Sequence, residues 1–137
     1  MQAAFDIYPM VKKYSGSSFA RLHVVRDIAS FHLADVTHGI VFVFAAWSGQ
    51  AIVGLQRLTA LLSAHPLDLL DIHVLDIESM TCQDMTRIFG RVFHGCGEAL
   101  WIRDGRIIAQ LETFAPESEP LILTFTKQLL GERNGPR

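Results

Sequence analysis

The apolar positions of this chain change period from segment to segment, and the changes mark out its elements. Residues 40–45 (IVFVFA) are apolar without a break, the pattern of a strand covered on both faces. A helical period follows: Ile52, Val53, Leu55, Leu58, Leu61 and Leu62 recur every three or four positions, with Gln56, Arg57 and Thr59 opposite. His65-Pro66 stops this helix. Residues 21–26 (RLHVVR) and 70–77 (LDIHVLDI) read as two further strands. Between the first strand and the central one, residues 28–37 are predicted to be a helix capped by Asp27, with Phe31 and Val36 inward and Gly39 past its end. Residues 81–89 form a short helix that turns Met85, Ile88 and Phe89 inward and ends near Gly90. Residues 99–102 and 106–111 are a hairpin around Asp104-Gly105, a dipeptide favoured in tight turns. Pro116-Glu117-Ser118-Glu119 opens the last helix with acidic residues at its positive end; its stripe is Leu121, Ile122, Phe125, Leu129 and Leu130.

The order is β-α-β-α-β-α-β-β-α, without internal repeat or linker. Residues 1–19 read as an N-terminal arm with room for one short helix, 20–131 as the domain, and 132–137 as a disordered polar tail. Composition agrees with one compact unit: of 137 residues half are apolar and 19% charged, enough for a core and too apolar for disorder. A net charge of −2 gives no reason to expect nucleic acid or an anionic membrane as partner. The first residues lack a secretory pattern and no apolar run is long enough to cross a bilayer, so the expected location is cytoplasmic. Two cysteines with thirteen residues between them and no C-x-x-C pair make no disulfide framework.

One segment carries chemistry by what it lacks. The apolar strand runs into Trp47-Ser48-Gly49-Gln50-Ala51 and then a long amphipathic helix. With the strand-Asp-Gly-strand hairpin behind it, this layout resembles thioredoxin-like proteins, in which the strand ends in Trp-Cys-Gly-Pro-Cys. The resemblance covers roughly residues 20 to 131. It implies an α/β thioredoxin-like fold, a central mixed sheet of about five strands flanked by about four helices. Redox chemistry there needs a thiolate at a helix N-terminus and a second cysteine one turn later. Here Ser48 holds the nucleophile position and Ala51 the resolving one, so dithiol exchange at this site is not expected. The buried acid of the family, six residues before the nucleophile, is replaced by Phe42. The cis-proline position is Gly97, in His94-Gly95-Cys96-Gly97-Glu98, so this loop is expected to be trans or reshaped.

The remaining chemistry is sparse. Ser48 reads as an N-cap, the sharper alternative being a nucleophile activated by His94; no G-x-S-x-G motif or acidic orienter supports that. Cys96 is either a monothiol facing the vestigial site or a small buried filler between glycines. Cys82 reads as packing, and a Cys82–Cys96 disulfide depends on a Cα distance that sequence does not give. The six histidines match no zinc spacing, with His38 and His65 placed near helix C-termini, and Gly95-x-Gly97 leads into a strand rather than a helix. No metal and no cofactor are therefore expected. The functional expectation is a redox-inactive, thioredoxin-like module that binds a protein partner or a second copy, in an assembly or chaperone-like role. Its site is Trp47, Ser48, Gly49, Gln50, Ala51, Gly95, Cys96, Gly97 and Glu98, a groove that in related proteins holds an extended peptide by backbone pairing. The alternative is a monothiol enzyme or sensor using Cys96.

Overall fold

A computed structural model describes residues 6–15, 22–63 and 70–131. The 19/20 domain boundary, the His65-Pro66 helix stop and the 132–137 tail lie outside the described residues. Five strands form one sheet in the order β1-β3-β2-β4-β5: β1 (Leu22–Val25), β2 (His38–Phe44), β3 (Asp71–Asp76), β4 (Ala99–Arg103) and β5 (Arg106–Leu111). β1, β3 and β2 are parallel, β4 runs antiparallel to β2, and β5 runs antiparallel to β4. The helices are α1 (Tyr8–Ser15), α2 (Gly49–Ser63), α3 (Cys82–Phe89) and α4 (Glu119–Gly131).

The unbroken apolar run takes the central position its composition demands, with Gly39 through Phe44 all buried. Trp101 on β4 is fully buried; its Nε1 donates to Thr126 Oγ1 at 3.0 Å, so the one polar atom of the indole has its partner. The N-terminal segment supplies α1, packed against α2, and Ile7 and Val11 join the core. α3 begins as its sequence indicates: Thr81 Oγ1 accepts from Asp84 N, and Asp84 returns the bond to Thr81 N. The hairpin turns at Asp104 and Gly105, both left-handed at φ 52 and 77.

Four expectations need correction. Residues 28–37 do not form a helix; two 3-10 turns, Ile28–Ser30 and Leu33–Asp35, are separated by extended backbone at Phe31 and His32. Asp27 makes no capping bond, accepting instead from the Ser30 hydroxyl at 2.7 Å. Tertiary bonds take the place of helical ones: Arg87 donates to the Ile28 and Phe31 carbonyls, and the hairpin tip donates to Val36 and Thr37. Phe31 and Val36 are nevertheless buried. On the long helices, Val53 and Leu121 face solvent, whereas Thr59 and Thr126 are buried. Each of those threonines donates to a carbonyl four residues back (Leu55 and Ile122), which makes burial of the hydroxyl tolerable. His38 opens β2 rather than lying at a helix end.

Candidate functional site

The site forms where β2 hands over to α2. Ser48 is buried and its hydroxyl accepts from Ala51 N at 3.3 Å, while its carbonyl receives Ile52 N at 3.0 Å. This is an N-cap, satisfying one of the free amides of the first turn. No hydrogen bond joins Ser48 to His94, whose side chain is exposed, so the nucleophile–base pair needed for hydrolysis is not assembled. Ala51 is fully buried. Phe42, on the neighbouring strand, is an apolar ring 2% exposed and 6.5 Å from Phe44 between ring centroids. Gln50 donates to Thr113 Oγ1 at 2.9 Å and to the Phe114 carbonyl at 3.2 Å.

Trp47 is 63% exposed, yet it is fixed. Its Nε1 donates to Glu78 Oε2 at 2.6 Å, and Asp76 holds Glu78 in turn by accepting its backbone N–H at 2.9 Å. The six-membered ring rests where Gly95 has no side chain: a Cβ there would stand 2.9 Å from Trp47 Cη2 and 3.0 Å from Ala45 Cβ. The indole is thus held at its Nε1 and seated over Gly95, with most of the side chain open to solvent. Asp76 is itself buried, which pushes its carboxyl pKa up against the bonds from Glu78 and Ser79.

The 94–98 loop is tied down by a carboxylate. Glu98, 3% exposed, accepts from His94 N at 2.8 Å and from Cys96 N at 3.0 Å. Gly95 and Gly97 are left-handed at φ 84 and 82, and no peptide bond among the described residues is cis. The loop is therefore trans, with two hydrogen bonds to the Glu98 carboxyl fixing it. The carbonyl of Cys96 accepts both Phe114 N at 2.8 Å and Thr113 Oγ1 at 3.2 Å. Both backbone groups of Cys96 are thereby engaged inside the chain, which leaves neither for a partner strand. Nothing in the sequence pattern pointed to Glu78, Thr113 or Phe114; they reach the site from distant segments.

Both cysteines are free; Cys82 is exposed on the first turn of α3, not packed as expected, and Cys96 is half-buried. Arg91 anchors the loop's start, donating to both oxygens of Glu112 at 2.6 and 2.7 Å, which holds the Glu112 carboxyl down at about 2. Among the described residues no group of three or more His, Cys, Asp or Glu is arranged to hold a metal ion. No helix among them is long and apolar enough to cross a membrane.

This strand order, hairpin and closing helix define a thioredoxin-like fold, and solved structures agree. Oxidised thioredoxin O2 from Arabidopsis thaliana superposes with a TM-score of 0.63 at 14% identity, over 81% of this chain and 96% of that one. A chain from work on the thiol-resolving mechanism of yeast mitochondrial 1-Cys peroxiredoxin gives 0.59 at 17% identity, over 79% and 99%. Reduced desulfothioredoxin from Desulfovibrio vulgaris Hildenborough gives 0.55 at 16% identity, over 77% and 96%. At such identities the likeness concerns the fold. No protein-family model and no curated protein matches the chain.

Proposed function

We propose that this chain is a redox-inactive thioredoxin-like module that holds a protein partner, or a second copy of itself, at the groove of Trp47, the Ser48–Ala51 turn and the Gly95–Glu98 loop. Its role is that of an assembly or chaperone-like accessory. The observation that carries this reading is the exposed but immobilised indole of Trp47. An aromatic ring already locked in place loses little entropy on contact, and Trp is enriched among residues that dominate interfaces. The nucleophile position supports the redox-inactive part, because a serine whose hydroxyl caps a helix offers no thiolate. With both backbone groups of Cys96 engaged, contact by side chains is favoured over strand addition.

The test is affinity capture from the native organism with wild type and Trp47→Ala, alongside insulin-disulfide reduction. Capture that depends on Trp47, with no reduction of insulin, supports the reading. Insulin reduction that disappears in Cys96→Ser sinks it. That second outcome would favour the monothiol alternative, for which the free, half-buried thiol of Cys96 is the supporting observation. Slow alkylation of Cys96 in the folded protein counts against the alternative in turn.

A further inference from the structure

Away from the groove, edge strand β1 sets His23 beside His73 of β3 in parallel register. The imidazole centroids lie 5.3 Å apart with the planes tilted by 30°. His23 Nε2 is 3.1 Å from Asp71 Oδ1, with both side chains half exposed. His73 is more enclosed: the Phe31 ring lies over it at 6.1 Å, and a Cβ on Gly39 would stand 3.5 Å from its Cδ2. The cover is the 27–36 segment, built from short 3-10 turns rather than a helix. β1 itself is four residues long and bonded along one side only.

We propose that the His23–His73 pair is a proton-operated latch, whose protonation releases edge strand β1 and the 27–36 segment while the rest of the sheet stays formed. A proton on His23 meets Asp71. A second proton, on His73, places two like charges about one ring-stack apart in a partly dry site, and separating the strands relieves it. Burial, then the neighbouring His23, push the His73 pKa below its usual value, and Asp71 opposes them. The released form therefore binds more protons between that lowered value and about 6.5, so the closed form loses stability as pH falls through that window.

Other charges do not reproduce this. On the covering segment Asp27, His32 and Asp35 are exposed, Asp27 bonded by Ser30 and His32 lying 3.5 Å from Arg87. Arg87, from α3, is directed at the Ile28 and Phe31 carbonyls. His38 lies at the start of β2, two positions before Ile40, the partner of Ile72. Asp76, at the far end of β3, has a raised pKa, so its protonation favours the folded form on acidification, the opposite sign.

The experiment is amide hydrogen exchange on the full chain at pH 7.5 and 5.5, corrected for intrinsic rates. Protection at Val24, Val25, Phe31 and Val36 should fall by up to about tenfold, the limit set by the roughly one unit between the free imidazole value of about 6.5 and pH 5.5. Protection at Val41, Phe42 and Val43 should change by less than about twofold. His73→Phe should abolish the difference; His23→Gln, at an exposed position, should reduce it and keeps the test open if the first variant does not fold. Unchanged β1 protection at pH 5.5, or a loss spread evenly over β1, β2 and β4, overturns the proposal.

Discussion

Trp47 Nε1 donates to Glu78 Oε2 at 2.6 Å, and this bond turns an exposed side chain into a fixed surface. Glu78 stands on a 3-10 turn capped by Asp76, so the ring's orientation is set by the end of β3 and not by α2. Glu78→Ala should leave the fold within about 1 kcal/mol of wild type, because the pair lies at the surface. Time-resolved fluorescence anisotropy should show the indole moving faster, with weaker partner capture. Unchanged indole dynamics would show that its seat over Gly95 suffices to hold the ring.

Glu98 is the residue whose removal should disturb the loop most. Truncating it to alanine leaves the His94 and Cys96 amides without their acceptor in a part-buried site. A loss of about 2–3 kcal/mol is expected, read as a lower urea midpoint. Glu98→Gln, which keeps one acceptor oxygen, should lose less. Equal loss in the two variants would mean that side-chain volume, not the acceptors, matters there.

Two glycines should respond in opposite directions. An alanine at Gly97 brings a Cβ to 2.9 Å from Phe114 and demands a left-handed backbone, a destabilisation of about 2 kcal/mol or more. Gly49, in the first turn of α2, has nothing within 4 Å of such a Cβ. Gly49→Ala should stabilise by up to about 1 kcal/mol. Thermal melts of the two variants check both signs.

Acid should act on two carboxylates with opposite signs. Arg91 depresses the Glu112 pKa, so its contribution is complete above about 4.5 and is lost as pH falls toward about 2. Burial raises the Asp76 pKa, so the wild type loses stability as pH rises above about 3.8 and this group ionises. Glu112→Gln should flatten the acid limb of a urea-midpoint profile. Asp76→Asn should gain on wild type between pH 4 and 7. An Asp76→Asn curve parallel to wild type would contradict the raised pKa of this buried acid.

The legible parts of this protein were those encoded by neighbours in sequence. Asp104-Gly105 specifies its turn through two left-handed residues, and the apolar run of β2 can be satisfied only in the sheet centre. Ser48 announces a helix start because its hydroxyl bonds an amide three positions on. Residues 28–37 were misread because periodicity there reports which side chains are inward, and Phe31 and Val36 are inward without a helix. Val53 and Leu121 fit their apolar stripes, but no neighbouring element covers them fully.

The sequence by itself determined the order of the five strands, the helices that follow β2, β3 and β5, the hairpin, and a turn after Trp47 that holds no thiol. These are local matters of period, turn chemistry and residue type. Only the tertiary structure decided what the turn became. Trp47 is held by a carboxylate 31 positions away, Gln50 by Thr113, and the Cys96 carbonyl by Phe114. Such bonds depend on which segments the sheet brings together, and neither composition nor spacing records that.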